Sequence, residues 1–326
     1  MQKCATALWE MQQPLMKPLK DNAGQEEHLK LLEELQKLLP LTSMGTETGH
    51  SVGIPEYMTT VRVLLPKVSP GQEVLGRWSH DGWYHRGLVL HVCDDQSFIL
   101  QNGAGMLERV WREDIITKGD DTSHEIKVEH PVISAHPLYP GHYCPATILS
   151  IPGDLQIKVR YYDGSEATVP RDQVYLVPAE KFEQDVAYAL ECEQRWVGEP
   201  VVARCDNTGT YHPAAEVEQQ VGIGRQYLIR WADGTSTVQD RDRIFGKWSP
   251  WRILVVGDNV LAPADPASHT FIPGVIHGLH GAFVYVQFIN GESCHRAEAH
   301  HCFWISEEQC AREHVPAGSE GGRGGP

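Results

Sequence analysis

Residue types that bind metals are concentrated between positions 294 and 310. Thiols and imidazoles are zinc ligands, and this stretch contains Cys294, His295, His300, His301, Cys302 and Cys310. Structural zinc sites show closely spaced pairs of ligands, and Cys294 lies too far from Cys302 for one zinc knuckle, although a hairpin could bring them together. Surface histidines and a buried cysteine explain the pattern better. Cys294, His300 and Cys302 are therefore weak metal candidates, and no metal or cofactor is predicted.

Sequence motifs of catalytic sites are absent from the chain. It contains no P-loop, no G-x-S-x-G nucleophile elbow and no H-E-x-x-H zinc motif. Gly222-Ile223-Gly224 is predicted in a β-turn and not before a helix, so it is not a dinucleotide-binding fingerprint. Histidines and carboxylates are present, but nothing in the sequence pairs them. The sequence therefore predicts a protein that is not an enzyme.

Short β-strands are the predicted elements that would position functional side chains, and they are clearest between His142 and Val169. One strand is predicted over Pro145 to Ile151 and ends at a Pro-Gly-Asp turn. The next strand, Leu155 to Tyr162, alternates and places on one face Leu155, Ile157, Val159 and Tyr161. Asp163-Gly164 then predicts a type I′ hairpin turn, because both residues tolerate positive φ.

This strand-and-hairpin plan recurs along the chain. Units of the same plan begin near Val74, Val132, Val201 and Val260. Their hairpin signals recur every ~60 to 70 residues, which is typical of a repeat array: Asn102-Gly103, Asp163-Gly164, Asp233-Gly234 and Asn290-Gly291. The predicted fold class is mainly β, with three or four tandem small SH3-like barrels and a few connecting helices.

The composition restricts the class of partner and the compartment. The 326 residues carry a formal net charge of −15, which disfavours sequence-independent nucleic-acid binding and fits basic protein partners. Eight cysteines without a framework spacing indicate reduced thiols in an intracellular protein of the nucleus or cytoplasm. Neither a signal peptide nor a membrane-spanning run is predicted, and the oligomeric state is left open.

The remaining segments are assigned as helices, linkers and tails. Leucines at 29, 32, 35 and 39 share one helical face, so a helix is predicted over 26–39, docked either on a partner or on the protein's own body. A second helix is predicted over 179–196 with Phe182, Val186 and Leu190 spaced four apart, packing two units together, and a short strand over 125–128. The predicted domain boundaries are 1–60 flexible, 61–120, 121–178, 179–198 helical linker, 199–247, 248–308 and 309–326 disordered tail.

The second unit resembles the tudor fold, a small SH3-like barrel. The resemblance is carried by the stretch from Val132 to Ile148 and by VRYYDGS at Val159 to Ser165. The third unit is similar in VVARCDNTGTYHPAAEV and IRWADGT, and the first and fourth are looser. The arrangement also resembles a family of uncharacterised eukaryotic proteins with tandem tudor-like modules, sometimes beside a von Willebrand A domain, although no such A domain is readable here.

The tudor resemblance implies recognition of methylated lysine or arginine in an aromatic cage beside a carboxylate, because a methylated cation is attracted to ring faces. It places the third-strand wall at Tyr161, Trp231 or Phe288, where the first unit has Leu100. The implied loop-side walls are Trp78, Trp83, Tyr84, Tyr143, Tyr211 and Phe271. The implied carboxylates are Asp163 and Asp233, with Asn290 in the fourth unit.

A packing role is the alternative for these rings. Tyr161 shares its strand face with Ile157 and Val159, and Trp231 and Phe288 end similar apolar faces, so each could simply close a core. The pair Trp83-Tyr84 favours a binding role more, because consecutive strand residues point to opposite faces and one ring must then face outward.

Two functions follow from these alternatives. The first is a reader or adaptor whose barrels bind a basic peptide, with histone tails and methylarginine segments as the partners that the resemblance suggests. The second is a scaffold in a cytoskeletal or ciliary assembly, in which the aromatics are core and the helix at 26–39 docks a partner. Nucleic-acid binding is disfavoured by the charge.

Overall fold

The computed structural model describes residues 66–313 apart from 121–125, 154, 207, 215, 223, 251, 266–268 and 292–294. The described chain is mainly β-strand and forms two compact units, which divide at Cys192 and Glu193. The predicted helix at 26–39 lies outside the described residues. No helix of the described chain combines the length and the apolar character needed to cross a membrane.

The unit of residues 66–192 contains two barrels with the same strand order. In each, an antiparallel meander is followed by a short strand that returns to pair with the first. The elements are β1 (Glu73–Arg77), β2 (Tyr84–Val92), β3 (Phe98–Asn102), β4 (Leu107–Val110), β5 (Ile115–Ile116), β6 (Pro131–Ala135), β7 (His142–Gly153), β8 (Gln156–Tyr161), β9 (Glu166–Pro170), β10 (Val174–Leu176) and α1 (Ala179–Gln194).

The unit of residues 193–313 repeats this plan. The short strand again returns to the first strand of each barrel, and the unit again ends in a helix. The elements are β11 (Val202–Arg204), β12 (Tyr211–Pro213), β13 (Glu216–Gln220), β14 (Gln226–Arg230), β15 (Ser236–Asp240), β16 (Ile244–Phe245), β17 (Asn259–Pro263), β18 (Phe271–His280), β19 (Phe283–Phe288), β20 (His295–Glu298), β21 (Phe303–Trp304) and α2 (Glu307–Glu313). The predicted fold of tandem SH3-like, tudor-like barrels is confirmed, with four barrels in the part of the chain that the structure describes.

The alternation predicted for the second unit is present in β8. Its burial pattern places Ile157, Val159 and Tyr161 in the barrel core. Leu155 departs from the prediction: it precedes the strand and is 80% exposed. The strand begins one residue later than predicted, so Leu155 belongs to the preceding turn and gains no contact with the core.

The Asp163-Gly164 hairpin is present but its turn is not type I′. A type I′ turn needs positive φ at both central residues, and here only Gly164 has it, with φ 86°. The Gly164 N–H donates to the Tyr161 carbonyl, so the turn is centred on Tyr162 and Asp163. Asp163 Oδ1 accepts the Ser165 N–H at 2.9 Å, which holds the turn locally. Asp233, Gly234 and Thr235 repeat the arrangement in the third barrel.

The two barrels of each unit are joined by strand pairing. In the first unit β2 pairs with β7, with Tyr84 opposite Tyr143 and His85 opposite His142. In the second unit β12 pairs with β18, with Tyr211 opposite Phe271. These paired aromatics lie in apolar clusters between the barrels. The equivalent strand in each barrel therefore forms the joint.

Helix α1 docks on the first barrel through a face other than the predicted one. Phe182 and Val186 are only half-buried and Leu190 is 38% exposed, whereas Asp185 and Ala189 are fully buried. Asp185 contacts Arg77, and Ala189 lies against Gly82. The buried face contains Tyr188, Ala189 and Cys192. Asp185 adds ionic and hydroxyl contacts to it, which an apolar periodicity alone could not reveal.

Two smaller predictions are corrected. Residues 126–128 form no strand and lead into a turn, although Ile126 packs against the second barrel core. The predicted disordered tail from 309 begins too early, because α2 continues to Glu313 and Cys310 is buried in the cluster with Tyr211.

Replacing Gly274 with alanine is expected to lower the free energy of unfolding by about 1–3 kcal/mol. An added Cβ would lie 2.6 Å from the Gln287 carbonyl oxygen and 2.6 Å from Val286 Cγ1, on the paired strand β19. Gly153→Ala is the control, because its Cβ would meet nothing within 4 Å. Denaturant unfolding measures both variants, and equal losses would show that the close approach is unimportant.

Candidate functional site

The third-strand position of each barrel differs in exposure. Leu100, Tyr161 and Phe288 are buried in the first, second and fourth barrels. Trp231, at this position in the third barrel, is only partly buried. The predicted ring wall is therefore accessible to a ligand in the third barrel alone among these described positions.

The mouth of the second barrel is filled by Trp83, which comes from the first barrel. Its indole lies against His136 at 5.3 Å and against Tyr139 at 5.5 Å between ring centroids. Its Nε1 donates a hydrogen bond to the Tyr162 hydroxyl at 2.9 Å. Tyr161 closes the group from the core side, 4.7 Å from His136. An aromatic cluster that was not predicted is thus assembled at this mouth, and Trp83 of the same chain occupies it.

The prediction that Trp83 or Tyr84 faces outward is wrong. Trp83 is 2% exposed and Tyr84 is fully buried. The two rings do point in different directions, but pairing of β2 with β7 puts the second barrel over the face that would otherwise meet water. Single-strand alternation cannot reveal a second barrel on the far face.

The other rings of the first two barrels have internal partners as well. Trp78 is 1% exposed, in the first barrel. Tyr143 is buried, and its hydroxyl accepts a hydrogen bond from Arg86 Nε at 3.0 Å. Burial raises the pKa of Tyr161, whose hydroxyl donates to the Ala135 carbonyl. The geometry gives these rings packing roles.

A buried ionic cluster ties α1 to the first barrel. Asp185 Oδ1 accepts hydrogen bonds from Arg77 at 2.8 Å and from Lys181 at 2.7 Å, and its Oδ2 accepts one from the Tyr84 hydroxyl at 2.8 Å. Asp114 accepts from the same two cations. Although burial opposes ionisation of Asp114, Lys181 and Arg77 hold its pKa below the usual value. The Tyr84 pKa is raised, first by burial and then by Asp185.

The third barrel presents a partly buried Trp231 two residues before an ionised carboxylate, Asp233. Trp231 Nε1 donates to Thr237 Oγ1 at 2.8 Å, which fixes the indole at the exposed end of β14. Asp233 is exposed, and hydrogen bonds from Thr235 lower its pKa. Tyr211, the predicted loop-side wall, is buried between the barrels. The candidate binding site is therefore Trp231 with Asp233.

The predicted residues of the fourth barrel are separated. Phe271 packs in the joint between the barrels, and Phe288 lies in the fourth core. Glu298, His300 and His301 form an exposed group. Burial raises the pKa of Cys302 to about 12, so its thiol is protonated at neutral pH. Cys294 lies outside the described residues.

An arginine that recurs before the closing strand of three barrels was not predicted, although the sequence contains a pattern that could have identified it. Arg112, Arg171 and Arg241 each donate from Nη1 to the carbonyl three residues later, at the start of the closing strand. The sequence repeats Arg, two polar residues and Ile or Val at these places, and the fourth barrel has Ala299 there. This spacing marks the closing strand.

No curated protein matches the chain. The crystal structure of Arabidopsis thaliana AGDP1 AGD34 is similar at 11% identity with a TM-score of 0.27, over 33% of this chain and 82% of that chain. The four MBT repeats of Drosophila melanogaster Sfmbt, in complex with the peptide RHR(me)KVLR, are similar at 10% identity with a TM-score of 0.17, over 76% of this chain and 90% of that chain. Extended-Tudor 10-11 of Drosophila melanogaster is similar at 12% identity with a TM-score of 0.19, over 76% and 81%.

A family model described as "Domain of unknown function (DUF4537)" matches residues 71–189 and again residues 198–314. Each matched segment runs from the first strand of one barrel to the helix after the next, so one copy of the domain is a joined pair of barrels with its helix. Because the two matches cover more than half of the chain, the protein belongs to the DUF4537 family and carries two copies of the domain in tandem.

Proposed function

We propose that the protein is a non-enzymatic binding or adaptor protein whose third barrel takes a basic peptide, with methylated lysine or arginine as the bound side chain. The observation that carries this proposal is the partial exposure of Trp231 at a position where the other three barrels bury their residue. The indole offers a ring face to a poorly hydrated cation, an interaction of about 0.5–2 kcal/mol.

The electrostatics favour a cationic ligand. Asp233 follows Trp231 in the hairpin, and hydrogen bonds from Thr235 lower its pKa, so it is ionised at neutral pH. The net charge of −15 favours basic partners over nucleic acid. A location in the nucleus or the cytoplasm is the expectation that goes with such partners.

Replacing Trp231 with alanine is expected to weaken binding of a methylated peptide by about tenfold. Peptide arrays with methylated lysine and arginine would first identify the peptide, and titration of that peptide into the full chain would then compare variants. Trp231→Phe keeps a ring and should lose less. Val238→Ala is the matched control, because Val238 is a 48% exposed apolar residue of β15 in the same barrel.

Two results would contradict this proposal. One is an array on which no methylated peptide binds the folded chain. The other is a bound peptide whose affinity ignores Trp231→Ala, which would place its site elsewhere.

A scaffold function is the second candidate, and a specific observation favours it. The rings of the first, second and fourth barrels are packed in barrel cores or in the apolar clusters that join the two barrels of a unit. A scaffold needs such rigid pairs and no cage. Stable co-purification with an assembly, together with no chemical-shift change at Trp231 on adding methylated amino acids, would favour this function over peptide reading.

A further inference from the structure

Two imidazoles, one in the loop between β1 and β2 and one at the start of β2, converge on the Asp81 carboxylate. His85 Nε2 lies 3.0 Å from Asp81 Oδ2, and His80 Nε2 lies 3.3 Å from the same oxygen. The three ligand atoms all lie within 4.8 Å of one another. Asp81 and His85 are buried and His80 is largely so, which distinguishes this group from the exposed one at Glu298, His300 and His301.

These separations match the edges of a metal coordination shell. Zinc bonds to imidazole nitrogen and carboxylate oxygen at about 2.0–2.2 Å, so neighbouring ligand atoms of a tetrahedron lie about 3.3–3.6 Å apart. The observed distances of 3.0 and 3.3 Å require only a small outward shift of the imidazoles. Imidazole with carboxylate is a ligand set that suits zinc and the neighbouring divalent transition metals.

The carboxylate is held in place by the backbone. Asp81 Oδ1 accepts the Trp83 N–H at 3.0 Å and also lies 3.1 Å from His85 Nε2, while Oδ2 lies near both imidazoles. The His85 ring is itself packed, 5.6 Å from Trp78 and 4.3 Å from His142 between ring centroids. Such outer contacts orient metal ligands and support their affinity.

In the second copy of the domain, the equivalent turn forms without a cluster of two histidines and an aspartate. There Thr208 Oγ1 accepts the Thr210 N–H at 3.4 Å, at the place where Asp81 accepts the Trp83 N–H. His212 follows Tyr211 as His85 follows Tyr84, but Asn207 stands in the place of His80. One side-chain oxygen that accepts a backbone N–H is therefore enough for this turn. The two imidazoles beside Asp81 are not needed to form it.

We propose that His80, Asp81 and His85 bind one divalent transition-metal ion, with zinc as the best-fitting class. Three protein ligands leave a fourth position for water or for a ligand from a partner. The ion would link the β1–β2 loop to β2 beside Trp83, the ring that joins the two barrels. This site is independent of the peptide site proposed at Trp231.

The test is metal binding by the full chain after removal of bound metal with a chelator. Zinc titration by calorimetry should give one site that is weakened more than about tenfold in His80→Ala and in Asp81→Asn. Asp81→Asn retains an oxygen for the Trp83 N–H, so it keeps the turn while it removes the charged ligand. Circular dichroism would verify that each variant is folded. Cobalt added in place of zinc should give visible d–d absorption without the intense thiolate band that cysteine ligands produce.

The controls address the other histidine groups. His300→Ala with His301→Ala removes the exposed group, and His212→Ala removes the counterpart of His85 in the second copy; neither should change the site. The proposal is overturned if the folded chain binds no zinc at micromolar concentrations. It is also overturned if binding persists unchanged in both His80→Ala and Asp81→Asn, or if the cobalt spectrum shows thiolate ligation.

Discussion

Replacing Asp185 with alanine is expected to lower the free energy of unfolding by about 3–5 kcal/mol, because it leaves buried cations without their counter-charge. The carboxylate is completely buried and accepts hydrogen bonds from Arg77, Lys181 and Tyr84. Asp114 alone would then face both cations. Urea denaturation followed by circular dichroism would measure the loss, and Asp185→Asn, which keeps hydrogen-bonding atoms, should lose less.

Glu183→Ala is the matched control for this variant. Glu183 lies two residues away on α1 and is exposed, so its replacement should change the free energy of unfolding by no more than about 0.5 kcal/mol. A loss of under about 1 kcal/mol for Asp185→Ala would mean that Arg77 and Lys181 reach water or other partners when Asp185 is removed, and that the cluster does not anchor α1.

The sequence predicted helix α1 but not which of its faces is buried against the first barrel. A helix over 179–196 follows from its apolar spacing, and α1 ends within two residues of that prediction. The spacing of Phe182, Val186 and Leu190 indicated the wrong face, because the buried face includes Asp185, whose partners Arg77 and Tyr84 lie far away in the sequence. Hydrophobic periodicity indicates only which apolar residues are buried. A charged residue that is buried and paired cannot be distinguished in the sequence from one that is exposed to water.

The barrels themselves were predictable because their signals are local. Alternation in β8 and the Asn-Gly and Asp-Gly hairpins depend on neighbours in the chain, so they can be read without knowing the tertiary contacts. The type of the Asp163-Gly164 turn was not predictable. The same two residues also fit a hairpin in which only Gly164 has a positive φ. Local pattern fixes the presence of the hairpin, and the backbone twist of the barrel selects its form.

The candidate site was predicted less well for one physical reason. Whether a ring at the end of a strand is a cage wall or a core residue depends on what covers it. The pairings of β2 with β7 and of β12 with β18 cover Tyr84, Tyr143, Tyr211 and Phe271. Those pairings join strands of different barrels, about sixty residues apart, and carry no local signal. Trp231 lies outside both pairings and is only partly buried, against the core of the third barrel.

Replacing Trp83 with alanine is expected to lower the free energy of unfolding by about 3–5 kcal/mol, the range for removal of a buried large aromatic side chain. The indole is 2% exposed and belongs to the second barrel core, although Trp83 is a residue of the first barrel. Its loss also removes the hydrogen bond to the Tyr162 hydroxyl. Thermal and urea denaturation would measure the effect, with Trp231→Ala as the control because that indole is partly exposed.

The same variant can show that the loss comes from an emptied aromatic cluster. Removal of the indole leaves a space bordered by His136, Tyr139 and Tyr162, and a cavity of this kind can bind a small apolar molecule that fills it. Added indole should therefore raise the melting temperature of Trp83→Ala while leaving the unmodified chain unchanged, since a ligand that binds only the folded state stabilises it by mass action. If Trp83→Ala were as stable as the unmodified chain, the ring would not hold the barrels together. If the variant were destabilised but indole had no effect, we would infer that the mouth of the second barrel had collapsed. The positions of its remaining rings would then depend on the presence of Trp83.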